Sequence, residues 1–323
     1  MSYRIINAPH FVALDDYRKA IEEMLSRVTS LPEVIAVYTI GSVGNPGISD
    51  IDMVVVTKKN STINTNFLHT LTTDERYLFT HNLYAISEKH FPLSEYYTFF
   101  HNYSLAYGND IRTGKTPSPG NIDILKKQVA KEFIVKMYIN LFVQEKYRVL
   151  RMRDLLLHVK ALQYDFDFLG ISEGRVIQLV QTVIGWRKIW FQKQPSQQEI
   201  LNWWKEFYVE FEKFAQEVLA DQPFYTPDKP HFRIAKNITL KPSSSSFFSN
   251  HYGIVLPNVF SFVGKRFFRL QNKLNRFEFN IPSSSANVPA IIAEKFAFEK
   301  ELTSYGKQYL PSFLPLTSSL HMQ

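Results

Sequence analysis

The sequence predicts an α/β (α+β) protein, with a mixed sheet and flanking helices near the N-terminus, then a helical bundle, then a C-terminal extension. Two observations lead to this prediction. Short runs rich in β-branched residues alternate with helical periodicity over residues 1–115, and apolar residues then recur at helical spacing up to about residue 220. After Pro223 serine and proline become frequent and the helical pattern ends. We therefore divide the chain into residues 1–115, 116–224 and 225–323.

The first segment begins with a predicted amphipathic helix over residues 14–29, in which Ile21, Leu25 and Val28 recur at helical spacing. Pro32 then breaks the chain, and an apolar run predicts a strand. In chain order, the sequence predicts strands over 34–40, 50–56, 76–87 and 105–111, and a helix over 92–103.

The second segment is predicted to contain several packed helices, with breaks at Gly170 and Pro195. The helical stretches lie near residues 147–164, 173–192 and 197–219, and we expect the four tryptophans, Trp186, Trp190, Trp203 and Trp204, in its core. The third segment is predicted to be irregular, with some strand and a helix near residues 288–306, and its role stays open.

Composition narrows the functional class. The chain contains no cysteine, which excludes disulfides and cysteine-based zinc sites and is typical of a reducing compartment. We see no signal peptide and no apolar run long enough to span a membrane, so we expect a cytoplasmic protein. The net charge of +7 suits anionic partners such as nucleotides, nucleic acid or acidic lipid headgroups, although a generally basic surface would give the same value.

The most informative stretch is the loop between the first two strands and the start of the second. Asp50 and Asp52 are two residues apart on a predicted strand, so their carboxylates face the same side about 7 Å apart and can hold one or two magnesium ions. Gly41 and Ser42 end the preceding strand, where backbone N–H groups and the hydroxyl can bind triphosphate oxygens. This combination favours nucleotidyl transfer.

A strand ending in Gly-Ser, followed by a loop and Ser-Asp-Ile-Asp leading into an apolar strand, resembles the signature of the DNA-polymerase-β-type nucleotidyltransferases. The resemblance covers residues 1–115, extends only to architecture over 116–220, and is absent after 225. It implies that Gly41, Ser42 and Ser49 contact the nucleotide and that Asp50 and Asp52 bind magnesium. A weaker likeness at 105–111 points to the members that act on small substrates.

The chain departs from this family at two places. Seven residues separate Ser42 from Asp50, fewer than the family usually has. The family also commonly uses a third acid on a later strand as metal ligand and general base, and the equivalent position here is Asn82, which cannot act as a carboxylate base. Three interpretations stay open: Glu88 takes the role, His81 takes it, or efficient catalysis is lost.

Other nucleotide sites do not fit. The glycines at 41, 44 and 47 precede a strand rather than a helix, which excludes a dinucleotide fingerprint, and no Gly-Lys-Ser/Thr element of a P-loop is present. A metal-dependent glycosyltransferase would place the apolar strand before its acids, whereas here it follows them. Basic and aromatic residues interleave over 260–276, a pattern that favours a packed amphipathic helix over RNA binding.

We therefore expect a magnesium-dependent nucleotidyltransferase that transfers a nucleoside monophosphate from a nucleoside triphosphate to a hydroxyl. A small molecule or a protein is the favoured acceptor, and RNA is possible. The alternative is a non-catalytic nucleotide- or RNA-binding protein with a degenerate domain, which Asn82 supports. A third interpretation is an interaction protein whose helical and C-terminal parts bind a partner.

Overall fold

The structure, a computed structural model, describes residues 2–59, 61, 63–98, 102–221 and 224–304. The chain forms two compact units. The first contains residues 10–125 together with 294–304, and the second contains residues 2–9 and 126–293 among those described. Both units mix helices and strands, which confirms the predicted fold class. The proposed division into three segments stays a prediction.

The secondary structure alternates at first and then becomes largely helical before a second sheet. The strands are β1 (Arg4–Ile6), β2 (Val34–Ile40), β3 (Asp52–Thr57), β4 (Tyr84–Ser87), β5 (Tyr103–Gly108), β6 (Val149–Arg151), β7 (Phe232–Ala235), β8 (Ile238–Ser243), β9 (Phe248–Gly253) and β10 (Asn275–Pro282). The helices are α1 (Leu14–Thr29), α2 (Thr73–Leu78), α3 (Phe91–Thr98), α4 (Pro119–Tyr147), α5 (Met152–Leu169), α6 (Arg175–Ile189), α7 (Gln197–Asp221), α8 (Lys265–Leu274) and α9 (Ala290–Ser304). Two 3-10 helices cover Phe67–Thr70 and Asn258–Val263.

The first unit is built around a four-stranded sheet in the order β4-β3-β2-β5. β2 is antiparallel to both β3 and β5, whereas β4 is parallel to β3. One face of β3 places Met53 and Val55 in a buried cluster with Tyr17, Met24 and Val28 of α1, whose spacing puts them on one side of the helix. The predicted bounds of α1 are confirmed.

The opposite face of this sheet packs aromatic side chains. The ring of Tyr38 stacks on that of Phe91 with centroids 4.6 Å apart, and Tyr103 meets both rings edge-on. Tyr38 and Ile40 are two residues apart on β2, so their side chains point to the same face of the sheet. Since Asp52 is directly opposite Ile40, its carboxylate also lies on this second face, at the end of the sheet.

One predicted strand was wrong over half of its length. Residues 76–87 contain the last turn of α2 and then β4, rather than a continuous strand. The reason is a capping box that starts α2: the Thr72 hydroxyl accepts from the Glu75 N–H, and the Glu75 carboxylate accepts from the Thr72 N–H. The predicted helix over 92–103 corresponds to α3, and residues 99–101 lie outside the described part of the chain.

The helical part of the second unit confirms the predicted core. Trp190, Trp203 and Trp204 are buried, whereas Trp186 is half-buried. The Trp203 ring stacks on that of Phe207 at 4.7 Å along α7. No helix among the described residues is both long enough and apolar enough to cross a membrane.

The region after residue 225 is more regular than predicted. It contains a second four-stranded sheet in the order β7-β8-β10-β9, in which β10 is parallel to β8 and antiparallel to β9. Phe277, Phe279 and Ile281 are buried and alternate with less buried residues, which is the period of a half-buried strand. This alternation was present in the sequence, but the serine clusters on either side led us to predict an irregular region.

Candidate metal centre

The site lies where the β2–β3 hairpin opens. Ile40 and Asp52 form the last residue pair between the two strands. Beyond them, Gly41 and Ser42 leave the sheet at the same end at which Asp50 enters it. Asp50 therefore precedes the strand rather than lying on it, but the local order of the sequence still brings the Gly-Ser pair and both acids together.

The connecting loop is held by two tyrosines. The buried Tyr17 hydroxyl donates to the Ser49 carbonyl at 2.7 Å and accepts from the Gly47 N–H at 2.9 Å. The Tyr77 hydroxyl donates to the Gly47 carbonyl at 2.5 Å. Gly47 has φ of +82°, which a residue with a β-carbon rarely adopts. These bonds fix the backbone immediately before Asp50, so its carboxylate is presented from a rigid loop.

Three side chains converge at this end of the sheet. Asp50, Asp52 and His81 each offer one ligand atom, and these atoms all lie within 4.8 Å of one another. It is the one such group of three or more histidine and acidic side chains found in the described part of the chain. The Thr80 hydroxyl donates to Asp50 at 2.7 Å, and His81 Nε2 lies 2.6 Å from Asp52 Oδ1. The two acids together with an imidazole could hold a metal ion.

His81 is oriented by both of its ring nitrogens. Nδ1 lies 2.6 Å from the backbone carbonyl oxygen of Asn82, to which it can only donate, and Nε2 faces Asp52. Burial lowers the pKa of His81, but the hydrogen bond to Asp52, the charges of Asp52 and Asp50 and the bond to the Asn82 carbonyl together outweigh burial and raise it. The two carboxylates therefore favour a positive charge on His81.

The same two carboxylates also affect the pKa of Tyr84. Burial raises the pKa of its hydroxyl, and the negative charges of Asp52 and Asp50 raise it further. Its ring is tilted against that of His81 with centroids 4.7 Å apart. The phenol of Tyr84 and the imidazole of His81 thus lie against each other near the two carboxylates, and the two carboxylates are the groups that could attract a cation.

The predicted phosphate-binding residues differ in their availability. Ser42 is exposed, and its hydroxyl has no hydrogen-bond partner among the described residues. Gly41 has φ of +74°, and its N–H is already used, since it donates to the Asn102 carbonyl at 3.0 Å. Ser49 is buried, and its hydroxyl accepts from the Asn45 N–H at 3.2 Å. Ser42 is therefore the residue of the three that is best placed to meet a phosphate, and the role of Ser49 is to hold the loop.

The structure shows which of the candidates for the third ligand lies near the two acids. Asn82 directs its side-chain oxygen to the N–H of Leu83. Glu88 lies at the opposite end of the sheet, where it accepts from the Lys59 N–H, and its own N–H donates to the Thr57 carbonyl. Thr57 lies five positions beyond Asp52 along β3, roughly 16 Å at the rise of a strand. The structure therefore brings His81, and not Glu88, to the two acids.

Sequence reasoning did not identify Thr80, Tyr17 or Tyr77 as parts of this site. Thr80 and His81 follow α2 and precede β4, so their approach to Asp50 and Asp52 depends on the parallel pairing of β4 with β3. The sequence named His81 as one of three alternatives for the third role, whereas a prediction of the strand pairing would have been needed to choose it and to find Thr80. Comparisons with models of protein families, with curated proteins and with solved structures gave no match to this chain.

Proposed function

We propose that the chain is a metal-dependent nucleotidyltransferase that moves a nucleoside monophosphate from a nucleoside triphosphate to a hydroxyl. The observation that supports this best is the convergence of Asp50, Asp52 and His81 at the end of the sheet where β2 stops, two residues before Ser42. An anion-binding serine next to a cation-binding group is the arrangement that a metal–triphosphate complex requires.

In this reaction the oxygen of the acceptor hydroxyl attacks the α-phosphorus and its proton passes to solvent, while the bond from that phosphorus to the bridging oxygen breaks and pyrophosphate leaves. Asp50 and Asp52 would hold a divalent ion, which supplies charge neutralisation for the phosphates when it is bound. The Ser42 hydroxyl and N–H donate to phosphate oxygens. Thr80 holds the Asp50 carboxylate through its hydroxyl, so that the acid is oriented before any ligand arrives.

His81 bears on which ion is bound. Magnesium, the ion expected from the sequence, prefers oxygen ligands, whereas imidazole suits transition-metal ions. Metal-bound histidines usually donate their second ring N–H to a carbonyl or carboxylate, and His81 does so through Nδ1 to Asn82. Nε2, which lies 2.6 Å from Asp52 Oδ1, would bind the ion in its deprotonated form, in place of its hydrogen bond to Asp52. We therefore propose that manganese binds at least as well as magnesium here, and that the chain uses either ion with a triphosphate.

The acceptor is proposed to be a small molecule or a protein, with RNA as a further candidate. The alternative function, nucleotide or RNA binding without turnover, is favoured by the absence of a carboxylate at Asn82 and by the position of Glu88. The two functions share the metal group and differ only in whether pyrophosphate is released.

The test is a titration of ATP, GTP, CTP and UTP by calorimetry, with magnesium, with manganese and without either, followed by an assay of pyrophosphate release. Asp50→Asn and Asp52→Asn should each abolish metal-dependent triphosphate binding and turnover while leaving the fold intact. Asp74→Asn, at an exposed aspartate of the same unit, is the matched control and should behave as the native chain.

The outcomes separate the candidates. Binding of one triphosphate with pyrophosphate release, lost in both site variants, supports the transferase. Metal-dependent binding without pyrophosphate release supports the non-catalytic alternative. If no triphosphate binds, or if Asp50→Asn and Asp52→Asn bind as the native chain does, the site assignment is wrong.

A further inference from the structure

A surface of the second unit exposes many apolar side chains over residues 254–274, which we call the basic-apolar surface. Ile254 is 71% exposed and Phe262 is 68% exposed, far more than residues of these types in a protein interior. The exposed apolar residues of this surface are Ile254, Val259, Phe260, Phe262, Val263, Leu270 and Leu274. Exposed apolar side chains that cluster in one segment and are bordered by polar residues are a feature of binding surfaces.

Hydrogen bonds join the parts of this surface. The Ile254 N–H donates to the Leu274 carbonyl at 3.4 Å, and the Gln271 side-chain amide bonds both the N–H and the carbonyl of Leu256. The 3-10 helix Asn258–Val263 runs directly into α8 through Gly264. Its first residue is anchored, since the Asn258 amide donates to the carbonyls of Ser2 and Arg148. The apolar side chains are thus displayed by a fixed backbone.

Basic residues border the apolar ones. Lys265, Arg269 and Lys273 recur every four residues and therefore form one row along α8, with Arg266 beside them. All four are exposed, and none makes an ion pair with any residue in the described ranges. The opposite side of the helix is buried through Phe267 and Gln271, so the cations point away from the unit's core.

We propose that the basic-apolar surface binds the anionic face of a phospholipid bilayer. The occupant must offer negative charge to the row of cations and an apolar interior to the side chains beside it, and an acidic headgroup layer over acyl chains offers both. Single-stranded RNA fits less well, because it stacks on aromatic rings, whereas five of the seven exposed apolar residues are aliphatic. The inference does not depend on the proposed transferase activity.

The experiment is flotation of the full chain with vesicles of phosphatidylcholine alone or of phosphatidylcholine with phosphatidylserine. The native chain should float only with the anionic vesicles. Each lysine or arginine near such a surface contributes roughly a fivefold factor in binding, so Arg269→Glu/Lys273→Glu should weaken binding by at least about 25-fold. Val259→Ser/Phe262→Ser should weaken it as well, because burial of the apolar groups is lost.

The matched control is Lys188→Glu/Lys205→Glu, which reverses two exposed lysines elsewhere in the same unit. It should bind as the native chain does, and circular dichroism should show that all three variants are folded. Failure of the native chain to bind anionic vesicles, or equal losses in the control, would overturn the proposal. Tight binding of single-stranded RNA that survives Val259→Ser, with no vesicle binding, would assign the surface to RNA instead.

Discussion

The two four-stranded sheets of this chain have closely related geometry and very different surroundings. Each contains one parallel and two antiparallel pairs, and each has an edge strand that ends at a glycine with positive φ, Gly108 in β5 and Gly253 in β9. The first sheet presents Asp50, Asp52 and His81 where its hairpin opens. The second sheet pairs its polar side chains across strands, and the neighbouring segment exposes the basic-apolar surface. The two sheets therefore share a backbone arrangement and differ in the residues at their strand ends and connections.

The largest expected effect concerns the glycine that ends an edge strand in each of the two sheets. A β-carbon on Gly108 would lie 2.0 Å from the Ile35 carbonyl oxygen, and one on Gly253 would lie 2.0 Å from the Leu274 carbonyl oxygen. Since neither backbone can accommodate that contact without moving, and the positive φ adds strain, Gly108→Ala and Gly253→Ala should each lower the free energy of unfolding by about 3 kcal/mol or more. Denaturant unfolding measures this.

The control for both glycines is Gly170→Ala. Gly170 ends α5 with φ of +70° and has open space where a β-carbon would lie, so only the backbone strain applies and the cost should be about 1 kcal/mol. If all three variants lost the same amount, the close contacts at the sheet edges would have no energetic role; unequal losses for Gly108→Ala and Gly253→Ala would break the structural parallel between the two sheets.

The next largest effect is stabilisation by a bound metal ion, which should depend on residues of the first sheet only. Manganese at about 100 times its dissociation constant should stabilise the native chain by about 2.7 kcal/mol, because an ion that binds only the folded state shifts the unfolding equilibrium. Thermal unfolding of chelator-treated protein, with and without the ion, measures it. Asp52→Asn should remove the stabilisation.

His81→Ala makes the same experiment sharper. It should reduce the stabilisation by manganese more than that by magnesium, because it removes the nitrogen ligand and leaves both acids. Equal losses for the two ions would mean that His81 orients Asp52 without binding the metal. No stabilisation by either ion, even in the native chain, would remove the main difference between the two sheets.

A buried tyrosine in each unit provides a smaller test. Tyr17 makes two hydrogen bonds to the loop before Asp50, and Tyr147 makes one, to the Asn272 side chain at 3.1 Å. Tyr17→Phe leaves a backbone N–H and a carbonyl without their partner and should cost about 2 kcal/mol, whereas Tyr147→Phe should cost about 1 kcal/mol.

The two tyrosine variants should also differ in metal affinity, measured by calorimetry. Of these two variants, Tyr17→Phe alone should weaken it, because Tyr17, unlike Tyr147, bonds the loop that presents Asp50. A weakened affinity in Tyr147→Phe, or an unchanged one in Tyr17→Phe, would show that the loop is held by other contacts.

The sequence predicted the parts of the site that are local in the chain. Gly41, Ser42, Asp50 and Asp52 lie within twelve residues, and a hairpin opening keeps such neighbours together. His81 is 29 residues beyond Asp52, and its place depends on the parallel pairing of β3 with β4, which no local pattern encodes. The order of the second sheet is likewise non-local, since β8 and β10 pair in parallel across β9 and α8, although the alternation of β10 itself was present in the sequence.

The smallest effect concerns Asp110, which follows β5 in the first unit. The Arg112 guanidinium bonds its carboxylate, and the Tyr38 hydroxyl donates to it at 3.0 Å. The hydrogen bonds from Arg112 hold the pKa of Asp110 well below its usual range. Its contribution to stability is therefore fully present above the unfolded pKa of about 3.9 and is lost as the pH falls towards the folded value. Because the carboxylate is 41% exposed, solvent screening limits this contribution to about 1 kcal/mol at most.

Asp110→Asn should consequently be less stable than the native chain at pH 7, and the difference should shrink as the solution is acidified below about pH 4. Urea unfolding at a series of pH values measures both chains. The second sheet offers the matched pair, Lys241 with Glu278, joined at 2.9 Å and similarly exposed. Glu278→Gln should have a smaller effect at pH 7, because that pair is a single contact, whereas Asp110 also accepts from Tyr38 and thereby ties the end of β5 to the aromatic face of the sheet. If the two variants lost equal stability, the bond to Tyr38 would contribute nothing.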